Sequence, residues 1–203
     1  MTALESVSQI KAKFGDLVTE LPGALAGETA LNVADSAKIA EVCAFAKQIG
    51  FNYLVDICSI DNYGEDPRWT VVYHLRAIGN GIEIRLKTNV SEEKSALPSV
   101  ISIWRTANWH EREVYDMMGI RCEGHPDLRR ILMWEGYPYH PLRKDFPLAG
   151  KPTDMPGVAF TRVTPMEGGP FVTVPGTSDA IAREPRVRVP DDAEPGVSDK
   201  RRE

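Results

Sequence analysis

The chain has 203 residues, 42% hydrophobic and 26% charged, the composition of an ordinary globular protein able to bury a core. Its 24 basic and 29 acidic residues leave a net charge of −5, which argues against a generic nucleic-acid binder. No apolar run is long enough to span a bilayer: the nearest, Ile39 to Ile60, is interrupted by Glu41, Lys47, Gln48, Asn52 and Asp56. The opening residues lack the basic flank and apolar stretch of a signal peptide. Cys43, Cys58 and Cys122 form no close pair, which suits a reducing compartment and is too sparse for a structural zinc or iron–sulfur site.

In chain order, residues 2–18 read as an amphipathic helix. Thr2 and Glu5 have capping-box spacing, and Leu4, Val7, Ile10, Phe14 and Leu17 recur at helical intervals. Leu31 and Val33 suggest a short strand. Asp35 or Ser36 caps a second helix, with Ile39, Ala40, Cys43 and Ala46 on one face and Gly50 at its end. Tyr53 to Ser59 is a strand, followed by a turn-rich loop from Asp61 to Pro67. Trp69 to Ala77 alternates apolar and polar residues, and Gly79-Asn80-Gly81 is a tight turn into a returning strand from Ile82. These three strands make an antiparallel meander. Pro98 to Met118 reads as two helical pieces separated near Asn108, which has capping-box spacing with Glu111; Gly119 stands at the stop.

Regular periodicity ends near Gly119. The expected architecture is a two-layer α/β (α+β) domain over residues 1–120. Its small mixed, mostly antiparallel sheet, three meander strands and one N-terminal strand, is covered by helices. A charged, aromatic segment over 121–150 leaves the domain to lie along a partner. Residues 151–203 hold eight of the fifteen prolines and read as an extended tail, disordered from about Arg183.

The segment from Asn108 to Pro147 carries three of the four histidines, His110, His125 and His140, and alternates charge with Trp109, Tyr115, Trp134, Tyr137 and Phe146. On the helix, Ala107, Val114, Met117 and Met118 share an apolar side; Trp109, Arg112, Glu113 and Asp116 lie opposite. Arg112 and Asp116 are spaced for an ion pair. Glu111 falls towards the apolar side. It either caps the Asn108 amide or is a partly buried carboxylate held by an arginine from the following loop. His110-Glu111 lacks the second histidine of a zinc protease. Glu111 and Glu113 point about 160° apart on a helix, so they do not converge on a substrate. His125-Pro126-Asp127 is a rigid loop or an active-site turn. Arg129, Arg130, Arg143 and Lys144 have no glycine-rich cradle for a phosphate beside them, and Asp127 and Asp145 stand among them as internal partners. Paired charges in an ordered loop or a protein interface explain the segment best.

These residues resemble the 30-kDa subunit family of respiratory complex I, the C subunit of NADH-quinone oxidoreductase. The family pattern is met by Glu111-Arg112-Glu113, Asp116, Met117-Met118, His125, Arg129 and Ile131, and by Pro-Leu-Arg-Lys-Asp-Phe-Pro from Pro141 to Pro147. The resemblance covers roughly residues 1–150. Between the blocks, many members carry Pro-Glu-Asp-Trp-Glu-Gly, whereas Met133 to His140 has its Trp-Glu-Gly shifted towards the N-terminus. The resemblance implies a non-catalytic peripheral-arm subunit of a proton-translocating, membrane-bound enzyme, on the cytoplasmic side of the inner membrane. It would pack on the quinone-site D subunit (49-kDa type). It would hold no cofactor itself, FMN, iron–sulfur clusters and quinone belonging to other subunits. Glu111, Arg112, Glu113, Asp116, His125, Asp127, Arg129, Arg130, Arg143, Lys144 and Asp145 would serve as signature and interface residues. The alternative within the resemblance is the equivalent subunit of a complex-I-like membrane-bound hydrogenase or other donor:quinone oxidoreductase. A free-standing hydrolase using His125 and Asp127 is the alternative from another class.

Overall fold

A computed structural model describes residues 2–22, 29–148 and 150–151. Helix α1, Ala3–Phe14, begins with the expected capping box: the Glu5 amide donates to Thr2 Oγ1 at 3.2 Å and the Thr2 amide to Glu5 Oε2 at 2.8 Å. It buries Ser6, Val7 and Ile10, while Leu4 faces outward. The helix is shorter than its apolar spacing predicts. Gly15 takes a positive φ of 56°, a 3-10 turn follows over Gly15–Leu17, and the chain enters strand β1 at Val18–Leu21. Val18 and Thr19 are β-branched and fit a pleated edge better than a last helical turn.

Strand β2, Ala30–Val33, pairs antiparallel with β1. Asp35 then accepts a hydrogen bond from the Ala37 amide at 2.9 Å and starts a 3-10 turn into helix α2, Ile39–Gln48. Strands β3 (Tyr53–Asp61), β4 (Trp69–Ala77) and β5 (Ile82–Val90) form the expected meander, with Trp69 opposite Val90 and Ala77 opposite Ile82. β2 joins it parallel to β5, so the sheet order is β1-β2-β5-β4-β3 and the sheet is mixed. The fold class is as expected, with β1 as an additional strand.

The core is one cluster. Trp69, Val71, Tyr73, Leu75 and Ala77 of β4 join Ile84, Leu86 and Val90 of β5, Val7 and Ile10 of α1, and Ile39, Val42, Cys43 and Ala46 of α2. The alternate side of β4 carries Thr70, His74 and Arg76, with the buried Val72 among them. Truncating a residue such as Leu86 here would cost about 2–5 kcal/mol.

Strand β6 (Ala96–Pro98) follows the meander. Residues 99–106 are then turns and not a first helical piece. After them come helix α3 (Ala107–Met118) and strand β7 (Arg121–Glu123), β7 pairing parallel with β6. Gly119 ends α3 in the left-handed conformation, φ 79°, its amide bonded to the Tyr115 carbonyl at 2.9 Å. The chain forms two compact units, Met1–Lys144 and Asp145–Glu203. Residues 121–144 therefore belong with the sheet domain, whose boundary the loss of periodicity places at 120. The reason is hydrogen bonding, which carries no periodicity. In the second unit, the Lys151 ammonium lies 5.9 Å from the Phe146 ring centre. Of the tail expected over 151–203, residues 152–203 lie outside the described residues.

Candidate interface on helix α3

Helix α3 is enclosed on two sides. Ala107, Val114, Met117 and Met118 join the core, and Arg112 and Asp116, on the polar side, are buried as well. What covers the polar side is the strap of residues 121–144.

Asp116 is the centre of this cover. Its Oδ2 accepts the consecutive amides of Ile131, Leu132 and Met133 at 3.0, 2.8 and 2.8 Å. Its Oδ1 accepts Arg130 Nη1 at 2.5 Å. Burial alone would raise the carboxyl pKa; the Met133, Leu132 and Ile131 amides and the Arg130 guanidinium outweigh it and hold the group below its ordinary value. Arg112 does not pair with Asp116, although the helical spacing allows it. Its Nε and Nη2 donate to the Arg129 and Arg130 carbonyls, both at 3.1 Å, and its guanidinium lies 5.3 Å from the exposed Trp109 ring. The Arg112 fork spans two adjacent carbonyls, while the Asp116 carboxylate is taken up by the strap amides and Arg130.

Glu111 is buried, but neither expected partner holds it. Oε1 accepts the Val100 amide at 2.7 Å and Oε2 the Ser99 hydroxyl at 2.6 Å. The carboxylate therefore ties α3 to the end of β6, and burial pushes its pKa up. Glu113 is exposed on the other side, so the two glutamates do diverge.

The remaining signature residues act along the strap. His125 Nδ1 accepts the Asp127 amide at 3.0 Å, and Nε2 lies 3.3 Å from the Asn108 carbonyl, which fits a neutral ring protonated at Nε2. Both ring nitrogens are thus engaged with main chain. Asp127 pairs with Arg129 at 3.0 Å on the surface. Arg143 Nε donates to the Met118 carbonyl at 2.7 Å, and His140 Nδ1 lies 2.9 Å from the Asp116 carbonyl. The Lys144 amide donates to Asp61 Oδ2 at 2.8 Å. Asp145 is exposed in the second unit. The aromatics pack within the strap: Trp134 against Tyr137 at 5.8 Å, Tyr137 against Tyr139 at 5.6 Å, and Arg130 over Tyr137 at 5.7 Å.

Sequence reasoning missed Asp61 and Arg68. They form a buried two-pronged pair at 2.9 and 3.0 Å, and Arg68 Nη1 reaches Glu92 at 2.6 Å. The available signal was the placement of opposite charges at the two ends of one loop. Three large apolar side chains on or beside the strap face outward: Trp109, Leu132 and Leu142, 58%, 62% and 58% exposed. Among the described residues, no group of three His, Cys, Asp or Glu side chains is placed to hold a metal, and no helix is long and apolar enough to cross a membrane.

The family model described as "Respiratory-chain NADH dehydrogenase, 30 Kd subunit" matches residues 32–152, which include the whole signature. The C 2 subunit of NADH-quinone oxidoreductase from Rhizobium etli (strain CIAT 652) is 48% identical over 144 residues, covering 70% of this chain and 75% of the relative. The C subunit of the same enzyme from Geotalea uraniireducens (strain Rf4) is 40% identical over 146 residues, covering 71% and 88%. Among solved structures, the trypsin-resistant fragment (1-134) of Nqo5 is 34% identical with a TM-score of 0.54, covering 63% of this chain and all of the fragment. A chain of the membrane-bound sulfane sulfur reductase, an archaeal respiratory membrane complex, shares the fold at 24% identity, with a TM-score of 0.62, and is covered to 85% against 71% of this chain. The chain belongs to the respiratory-chain NADH dehydrogenase 30 Kd subunit family.

Proposed function

We propose that the chain serves the NADH-quinone oxidoreductase, of which its family is a component, as a non-catalytic scaffold in the peripheral arm, packed on the quinone-site D subunit at the cytoplasmic side of the inner membrane. The observation that carries this reading is how the signature is used. Glu111, Arg112, Asp116, His125 and Arg130 are spent on the chain's own main chain and side chains. What reaches solvent includes the apolar Trp109, Leu132 and Leu142 and the self-paired Asp127 and Arg129, beside the exposed charges of Glu113, Lys144 and Asp145. Arginine and aromatic anchors held by a rigid loop are what protein interfaces enrich. The chain beyond Lys144 continues along the same partner. FMN, iron–sulfur clusters and quinone then belong to neighbouring subunits. The trypsin-resistant fragment (1-134) of the related Nqo5, which covers 63% of this chain, supports a sheet domain stable by itself.

The test is the native mass of the tagged chain after mild detergent extraction of membranes, with its co-purifying chains identified. The expected result is an assembly of several hundred kilodaltons containing the D subunit and NADH-oxidising subunits. A free chain without partners in native cells contradicts the reading. The same assembly with hydrogenase-type donor subunits would keep the scaffold role and replace the donor.

A further inference from the structure

The motif from Pro141 to Pro147 is only partly explained by the contacts that bind the strap to α3, the Leu142 amide on the Met117 carbonyl and Arg143 on the Met118 carbonyl. It contains the boundary between the two compact units, which falls between Lys144 and Asp145. At that boundary the last residue of the first unit is held by one side chain. Asp61 ends β3, is 3% exposed, and is 83 residues distant in sequence. Its Oδ1 accepts Arg68 Nε at 2.9 Å; its Oδ2 is shared between Arg68 Nη2 at 3.0 Å and the Lys144 amide at 2.8 Å. Arg68 is fixed in turn by Glu92 at 2.6 Å and lies over the Trp69 ring at 4.4 Å and the Tyr63 ring at 5.1 Å. Arg143 lies over the same Trp69 ring at 5.2 Å.

A buried carboxylate with its arginine already in place presents a preformed acceptor to one main-chain amide. That arrangement fixes position without depending on the identity of the Lys144 side chain. We infer that Asp61 is a positioning residue for assembly: by holding the Lys144 amide it sets where the chain passes from the sheet domain to the segment that lies along the partner. The inference rests on the scaffold reading above.

The experiment uses the full-length chain with three substitutions. Lys144→Pro removes the amide hydrogen and leaves the Asp61–Arg68 pair intact. Lys144→Ala keeps that hydrogen and removes only the side chain. Asp61→Asn leaves one of the two acceptor oxygens and tests the other partner of the same bond. Hydrogen exchange is read at the Leu142 and Arg143 amides, which bond to the Met117 and His140 carbonyls. It should speed up about tenfold in Lys144→Pro, with β4 and β5 amides unchanged, and at least as much in Asp61→Asn, which also loosens the buried Arg68 next to the start of β4. Lys144→Ala should exchange like the wild type. The amount of assembly containing the D subunit on native gels, relative to wild type, should fall at least about threefold in the first and third variants only. Unchanged exchange in Lys144→Pro, or equal exchange in Lys144→Ala and Lys144→Pro, overturns the latch. Faster exchange with normal assembly overturns its positioning role. Failure of the wild-type chain to capture the D subunit speaks against the scaffold reading separately, because the exchange comparison needs no partner.

Discussion

A β-carbon on Gly119 would collide with the guanidinium of Arg143 and would lie 2.7 Å from His140 Nε2. Gly119 thus has two duties: it supplies the left-handed cap of α3 at φ 79°, and it leaves room for Arg143 to reach the Met118 carbonyl. Gly119→Ala should destabilise the fold by about 2–4 kcal/mol, combining backbone strain with overpacking. Arg143→Ala should lose the hydrogen bond to the Met118 carbonyl and the packing over Trp69, about 1–2 kcal/mol. Urea unfolding of the two variants measures the order.

Asp116 should be the costliest polar position on α3. Asp116→Ala strands three strap amides and the Arg130 guanidinium. The expected loss is about 3–5 kcal/mol. It should also open the strap, so trypsin cleavage after Arg129 and Arg130 should quicken before global unfolding does. Denaturant titration and timed proteolysis check both.

The two buried carboxylates of α3 give opposite pH dependences. Asp116 has a lowered pKa when folded, so its stabilisation is present above the unfolded value near about 3.9 and is lost as pH falls through the folded one. Glu111 has a raised pKa when folded. Its ionisation therefore removes stability as pH rises from the unfolded value near about 4.3 to the folded one. Glu111→Gln stays neutral and can serve both the Val100 amide and the Ser99 hydroxyl. It should equal the wild type in acid and exceed it above the folded pKa of Glu111. Glu111→Ala should lose about 1–3 kcal/mol by orphaning the Val100 amide. Melting curves from about pH 2 to about pH 8 cover both windows, the Asp116 loss below about 3.9 and the Glu111 loss above about 4.3, and test the sign.

Arg112→Lys should not be conservative. A single ammonium cannot span the Arg129 and Arg130 carbonyls or stack on Trp109 as the planar fork does. A loss of about 1–3 kcal/mol is expected, with a shift in tryptophan emission as Trp109 loses its cover.

Legibility in the sequence follows the range of the forces involved. Thr2 with Glu5, and the alternation from Trp69 to Ala77, are local patterns, and each appears as read. The end of α1 at Phe14 is hidden because Leu17 and Val18 continue a plausible apolar spacing while belonging to a turn and to β1. The α3 region shows the sharper limit. Asn108 and Glu111 match a capping box, yet Glu111 bonds to Ser99 and Val100, upstream of the helix. Arg112 and Asp116 match an ion pair, yet each bonds to the strap. Spacing identifies charged groups that need partners, but a partner brought by tertiary folding leaves no period to read. Asp61 and Lys144 are the extreme case.

The outward-facing Leu132 and Leu142 separate folding from docking. Leu132→Asp and Leu142→Asp should change stability by less than about 0.5 kcal/mol, since both side chains face solvent. Yet they should weaken assembly, because a charge would be buried at the interface. Thermal melts of the free chain, set against native-gel recovery of the complex, show whether the two effects part.

A scaffold without chemistry of its own leaves a clear signature in NADH:quinone turnover per assembled complex, in membranes where the chain carries Trp109→Ala with Leu132→Asp. The account predicts fewer assembled complexes, each turning over at the wild-type rate. A normal number of complexes with lost turnover would contradict it and place this chain in the reaction itself.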